Sequence, residues 1–358
     1  MNTQLTGETD GSARDREFML RAMAAADSVR CITSPNPWVG AVVVPASSNA
    51  ESSFYEGATE EPGGRHAEVV ALDKAGDDAR GSTLYVTLEP CNHTGRTPPC
   101  TERIISAGVA RVVVGIEDPD IQVAGTGLER LRAAGIVVDI GIAATKIRQQ
   151  LEPYLHHRVT GRPWVVCKLA ATVDGGTAAP DGSSKWITSA EARSDGHRLR
   201  AESDAVCIGA GTVRKDDPSL TVRDWKPPIA PMKREIHPVR VVLGKAPEGA
   251  KVHPCIERSG DLGTILDELG ASGIVQLMVE GGAEVAGSFH RAGLVDRYVI
   301  YLAPAIFGGD DARPLFGGLG AWTMKDVWRG QFVGMRQLGP DIRLDLAPLA
   351  PGDDSVPS

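Results

Sequence analysis

Apolar and polar positions change rhythm repeatedly along this chain, and each change marks an element. Phe18, Met19, Ala22, Met23 and Ala26 fall at helical spacing and predict a helix over residues 14–30. Ser34-Pro-Asn-Pro37 stops it, and the unbroken apolar run 39–44 reads as a buried strand. Residues 46–64 are small, polar and acidic, which predicts a loop or a hairpin with a poor second strand. Helices are expected over 66–76, 100–108 and 127–135, alternating with strands over 82–87, 111–116 and 137–140. Strands alternating with helices predict an α/β layer sandwich around a largely parallel sheet.

Residues 141–162 read as a short, charged helical connector that ends at Gly161-Arg-Pro163, and the domain boundary is expected there. A second α/β pattern follows. Strands are expected over 164–171, 205–209, 239–243, 275–280 and 297–304, with helices near 262–269 and 283–293. Thr188-Ser-Ala-Glu191 has capping-box spacing and opens another helix that runs to about residue 202. The stretch 226–238 is proline-rich and irregular. The expected organisation is a first domain over 14–150, a connector over 151–163 and a second domain over 164–347. The polar ends 1–13 and 348–358 are expected to be disordered.

Size and charge narrow the possibilities. A chain of 358 residues exceeds what one core usually serves, in agreement with two domains. The net charge of -8, with no basic stripe, argues against a nucleic-acid partner. No apolar run reaches membrane-spanning length, and the acidic N-terminus has no signal-peptide core, so a cytoplasmic protein is expected. In that compartment the six cysteines stay reduced, and metal binding is preferred to a disulfide for Cys91 and Cys100.

The chemistry concentrates between His66 and Cys100. His66, Cys91 and Cys100 offer one imidazole and two thiolates, leaving the fourth tetrahedral position of a zinc ion free for water. Water bound there ionises near neutral pH, and Glu68 can carry its proton without ligating the metal. The pattern is that of zinc nucleobase deaminases, H-x-E and then P-C-x-x-C, except that eight residues, 92–99, stand between the cysteines. His66 and Cys91 are each expected at the start of a helix, where they could converge on one ion. The alternative is a closed structural zinc site with His93 as fourth ligand, in which Glu68 has no role.

The second half carries fewer signals. Lys168 is a cation within an apolar strand. Gly209-Ala-Gly-Thr212 follows a strand and precedes Asp216-Asp-Pro218, and Glu280-Gly-Gly282 ends a strand shortly before a helix; glycines at such turns bring backbone N–H groups to a phosphate. No G-x-G-x-x-G follows a strand, and no internal repeat relates the halves.

His66-Ala-Glu68 followed by Thr87-Leu-Glu-Pro-Cys-Asn-His-Thr-Gly-Arg-Thr-Pro-Pro-Cys100 resembles the deaminase half of the bifunctional deaminase/reductase family of riboflavin biosynthesis. The long loop between the cysteines is that family's distinguishing mark. Pro35-Asn-Pro-Trp-Val-Gly40 is similar to its substrate-contacting segment, which would make Asn36 a pyrimidine contact, with His93 also on the substrate. Asp118-Pro119 matches as well, but Asp120 stands where the family usually has Asn, and Arg96 where Lys is common. Lys168-Leu-Ala-Ala171, Thr172-Val-Asp-Gly175, Ser184-Lys-Trp-Ile-Thr-Ser189, Asp216-Asp-Pro218 and Val279-Glu-Gly-Gly282 resemble the family's reductase half.

The resemblance implies a cytidine-deaminase-like α/β/α sandwich followed by a dihydrofolate-reductase-like α/β domain. It implies zinc-hydroxide deamination of 2,5-diamino-6-(5-phosphoribosylamino)pyrimidin-4(3H)-one, then NADPH reduction of the ribosyl chain to ribityl. NADPH would be lined by Ala170, Trp186, Thr212, Asp216 and the run Gly282, Ala283, Glu284, Val285, Ala286, Gly287 and Ser288. Lys168, Ser184, Arg200, Leu220, Arg223 and Glu280 would hold the substrate, and Lys245 is a candidate contact for the cofactor's 2′-phosphate. The implied partner is a small phosphorylated pyrimidine, with no nucleic acid or membrane involved, and the chain is expected to form a homo-oligomer. Two rival readings stay open: a zinc deaminase of a free nucleoside or tRNA base with an inactive C-terminal domain, and a nucleotide-sensing regulator with structural zinc.

Overall fold

The structure, a computed structural model, describes residues 11–46, 53–95, 98–120, 123–228 and 236–349. The expectations for residues 1–10, Arg96 and 350–358 lie outside the described residues. The chain divides into two compact units, with the main break between Gly161 and Arg162. Among the described residues no helix is long and apolar enough to cross a membrane.

The first unit runs α1 (Ala13–Val29), β1 (Gly40–Val44), β2 (Tyr55–Ala58), α2 (Ala67–Ala75), β3 (Thr83–Leu88), α3 (Cys100–Ala107), β4 (Arg111–Ile116), α4 (Thr126–Ala133), β5 (Val137–Ile140) and α5 (Ala144–Thr160). The sheet order is β2-β1-β3-β4-β5. Only β3, β4 and β5 run parallel; β1 is antiparallel to both neighbours, so this sheet is mixed and not largely parallel. The reason is the short β1–β2 connection, which can close only an antiparallel pair. The polar stretch before residue 64 does supply that weak second strand.

Helices cover both faces. Gly40 lies against α1, where a Cβ would stand 1.8 Å from the Ala22 carbonyl oxygen; Gly57 lies against α2, where a Cβ would meet the Ala67 carbonyl at 2.2 Å. Ala41 pairs with Gly57, so these two glycines face opposite sides of the sheet and let one helix on each side approach the backbone. α5 packs on β4, with Ile147 over Gly115. The segment expected as a connector is therefore the second half of a 17-residue helix that buries Ile147, Leu151 and Tyr154 in the first unit.

α1 is tied to the sheet by one buried carboxylate. Asp15 accepts from Arg111 Nη1 at 2.7 Å and from the Tyr85 hydroxyl at 2.8 Å, and the Arg111 guanidinium holds its pKa at about 2. The folded value lies below the unfolded one of 3.8, so this stabilisation is complete above the unfolded pKa and disappears as pH falls through the folded one. The linkage amounts to about 2 kcal/mol. Asp15→Asn should flatten the fall in urea-unfolding stability between about pH 5 and about pH 2. Identical slopes for the variant and the parent protein would refute this assignment.

The second unit comprises β6 (Trp164–Thr172), β7 (Gly176–Ala178), α6 (Ala190–Ala201), β8 (Ala205–Gly209), α7 (Ala210–Asp216), β9 (Val239–Leu243), β10 (Ile256–Arg258), α8 (Leu262–Ala271) and β11 (Gln276–Val279). α9 (Ala283–Arg291), β12 (Arg297–Ala303), β13 (Arg313–Pro314), β14 (Gly330–Leu338) and β15 (Asp341–Pro348) complete it. Its main sheet has the order β10-β9-β8-β11-β6-β12-β15-β14, parallel through β12 and antiparallel in the last two strands. Ile265, Leu266 and Leu269 of α8 and Phe289 of α9 share one core with Val165, Cys167 and Leu277. Ala192 and Leu199 of α6 cover Val166, Met278 and Tyr301. These residues alternate along the strands with those of the first core, so α6 lies on the other face.

Beside that second core sits a buried ion network. Asp195 of α6 accepts from Arg343 Nη1 at 2.6 Å and from the Tyr301 hydroxyl at 2.7 Å, while Arg343 Nη2 reaches Asp345 at 2.6 Å. β15 thus turns Arg343 and Asp345 inward and leaves Ile342 exposed. β14, at the sheet edge, exposes Phe332, Val333 and Met335.

Candidate active sites

Three side chains of the first unit converge on one point. His66 immediately precedes α2, Cys91 stands in the loop after β3, and Cys100 is the first residue of α3. Cys91 is therefore not at a helix start; the eight-residue loop separates it from the helix that Cys100 opens. The ligand atoms of all three lie within 4.8 Å of one another, with His66 Nδ1 3.2 Å from Cys100 Sγ and 3.6 Å from Cys91 Sγ. In tetrahedral zinc geometry the nitrogen-to-sulfur edge is about 3.6 Å, so this donor set fits the ion. Two thiolates this close repel each other unless a cation lies between them. The Cys91 thiol is accordingly pulled down, first by its hydrogen bond with Cys100. Cys100 is pushed up by that bond and by burial.

Glu68, in the first turn of α2, is 3% exposed, and burial raises its pKa above the ordinary carboxylate range, partly offset by His66. A cavity of about 340 Å³ opens on this group and is lined by Asn36, His66, Glu68, Cys91 and His93. The structure thus brings together the residues that the sequence assigned to metal, proton transfer and pyrimidine. Asp118, Asp120, Tyr154 and Arg158 also line it. Tyr154 and Arg158 escaped sequence reasoning because α5 read as a connector. Glu89 escaped it too. This carboxylate accepts backbone N–H bonds from Asp118, Gly125, Gly127 and Leu128, at 3.0–3.3 Å, and so fixes the Cys91 loop to the start of α4. Its place directly before Pro90-Cys91 was the available signal.

In the second unit, Glu280 follows β11 and receives Lys168 Nζ at 3.4 Å and Arg200 Nη2 at 2.7 Å. Burial would raise the Glu280 pKa, but Lys168 and Arg200 outweigh it and hold the carboxyl at about 2. Arg200 also donates to the Thr221 carbonyl at 2.6 Å, so its donors are largely engaged within the protein. Arg223 and Ser184 are exposed. Trp186 is 71% exposed, with the Arg193 guanidinium 4.4 Å from its ring centroid.

The two glycine turns end the adjacent strands β8 and β11, and Gly282 faces Thr212, whose Oγ1 would be 3.6 Å from a Cβ there. Gly209-Ala-Gly-Thr212, read as a turn, instead leads into α7, with Asp216 exposed at its end. Gly209 and Gly281 make room for Val285, and Gly287 for the Gly317 carbonyl. Ala286 belongs to the core with Phe289, and Leu220 to the core with Val206 and Val252. Ala286, Gly287 and Leu220 are thus buried in packing contacts. Lys245 is exposed after β9.

Residues 12–116 match the cytidine and deoxycytidylate deaminase zinc-binding region, and residues 163–344 match the RibD C-terminal domain. The chain is 38% identical over 368 residues to the riboflavin biosynthesis protein RibD of Escherichia coli strain K12, covering 93% of this chain and 99% of that one. The structure of RibD from Acinetobacter baumannii is similar with a TM-score of 0.86 at 36% identity, over 94% of this chain and 99% of that one. A Thermotoga maritima structure has a TM-score of 0.81 at 33% identity, with the same two coverages. That protein is a diaminohydroxyphosphoribosylaminopyrimidine deaminase/5-amino-6-(5-phosphoribosylamino)uracil reductase. Matched across both units, this chain belongs to the RibD family, the bifunctional deaminase/reductases of riboflavin biosynthesis.

Proposed function

We propose that the first unit deaminates 2,5-diamino-6-(5-phosphoribosylamino)pyrimidin-4(3H)-one and that the second reduces the product's ribosyl chain to ribityl with NADPH. The observation that carries this reading is the convergence of His66, Cys91 and Cys100 beside buried Glu68 in one cavity. Zinc held by those three residues would supply an acidified water as nucleophile. Glu68 takes that water's proton and hands it to the departing amine, so that water enters and ammonia leaves. A raised pKa suits a group that must act first as base and then as acid. Asn36 and His93 orient the pyrimidine.

NADPH would supply the hydride to C1′ of the opened ribose. Thr212, Asp216 and the Gly282 turn, with Ala170 and Trp186, form its side of the reading. Lys168 and Glu280 position the substrate, and Arg200 holds Glu280 in place. Arg223, being exposed, is the better phosphate cation of the two arginines. Lys245→Ala should weaken use of NADPH and spare NADH; equal loss with both would remove Lys245 from the site.

We place the protein in the cytoplasm, because a thiolate metal site needs Cys91 and Cys100 reduced and neither is in a disulfide. We read it as a homo-oligomer on account of the apolar side chains exposed along β14. The decisive test follows ammonia first and NADPH absorbance second in one cuvette containing zinc-loaded protein and the diaminopyrimidinone phosphate. Ammonia release followed by NADPH oxidation is expected. Ammonia without NADPH oxidation would leave only the first unit active, and neither signal with zinc bound would favour a structural metal.

A further inference from the structure

The cavity beside Glu68 is acidic: Glu68, Glu89, Asp118 and Asp120 all line it. A substrate with a dianionic phosphate needs a cation there. Among the described lining residues one lysine or arginine is present, Arg158 on α5. Its guanidinium stacks over the Tyr154 ring, 5.0 Å from the centroid, which fixes its plane. Its donors are weakly engaged. Nε is 3.6 Å from Asp120 Oδ2, beyond hydrogen-bond length, and is buried with no hydrogen-bond partner, while Nη2 reaches the Pro35 carbonyl only at 3.5 Å. A held guanidinium with its fork unfilled is a preorganised receptor for phosphate oxygens.

We propose that Arg158 is the phosphate-recognition residue of the deaminase unit, and that Asp120 is an internal anion standing in for the phosphate and displaced by it. This rests on the reading of a phosphorylated pyrimidine as substrate. It assigns α5 a specificity role: selection of the phosphorylated compound over its dephosphorylated riboside. Asp120 lowers affinity by competing with the phosphate for the guanidinium.

The test measures ammonia release by the full-length zinc protein on the phosphorylated pyrimidine and on its riboside, for the parent chain, R158A, R158K, D120N and R96A. R158A should raise KM for the phosphorylated substrate about 10- to 100-fold with kcat within a few-fold, and leave kcat/KM for the riboside unchanged. R158K should recover part of the loss, since it restores charge without the fork. D120N should lower KM for the phosphorylated substrate. Inorganic phosphate should inhibit the parent protein competitively and R158A much more weakly. Equal losses by R158A and R158K on both substrates would show a merely structural residue and overturn the proposal. So would a phosphate-selective loss in R96A without one in R158A. No ammonia from the parent protein with either substrate would instead refute the proposed function on which the assignment rests.

Discussion

Glu68→Gln should leave zinc bound at one ion per chain and lower ammonia release by about 10²- to 10⁴-fold. The substitution keeps shape and removes only the ability to exchange a proton. Glu68 is buried beside the ligands but is not one of the three groups whose donor atoms converge, so metal content should not change. Reduction of already deaminated substrate should continue at the parental rate, because that chemistry resides in the second unit. A variant that loses its zinc would make Glu68 part of the metal's support. One that keeps a rate within about tenfold of the parent would remove it from proton transfer altogether.

The second large effect concerns stability. Asp195→Ala should destabilise the second unit by about 3–5 kcal/mol, because it leaves the Arg343 guanidinium, 7% exposed as a residue, with one buried carboxylate in place of two. The Tyr301 hydroxyl loses its acceptor at the same time. Asp195 itself is held at about 2 because Arg343 and Arg198 overcome the effect of burial. Five of the six tryptophans follow residue 161, so urea unfolding monitored by tryptophan fluorescence reports chiefly on this unit. The triple change Asp195→Asn, Arg343→Met and Asp345→Asn should be less damaging than Asp195→Ala alone, since the guanidinium and both of its carboxylates are then removed together. A loss below about 1 kcal/mol for Asp195→Ala would mean that Asp345 alone satisfies Arg343.

The three side chains that converge at the candidate metal site were legible in the sequence because few residue types can ligate zinc, and each stood beside a strand or helix boundary that the apolar pattern also marked. The same pattern found the central strands of both sheets. It failed where polarity and burial part company. Ile147, Leu151 and Tyr154 form a helical stripe, but the charges around them made α5 look solvated along its whole length. β15 inverts the usual alternation, with Arg343 and Asp345 inside and Ile342 outside, and β14 exposes apolar residues on consecutive positions. Neither strand could be read from alternation, because an ion network supplies the inward face of one and no core takes up the apolar side chains of the other. The glycines before Thr212 disguised α7 as a turn, since glycine lowers helix propensity.

The pairing order of the strands also sets a timetable for synthesis. In the first sheet every strand finds a partner soon after it is made, and the sheet is closed once β5 has emerged. The second sheet behaves differently. β6 is its first strand, yet it pairs only with β11 and β12. At about 5–20 residues per second, β6 waits several seconds on the ribosome with an apolar, unpaired ladder before either partner exists. A nascent chain stalled in that interval would carry a finished deaminase fold followed by a sticky half-sheet, and that is the stage at which it most needs shielding from other chains.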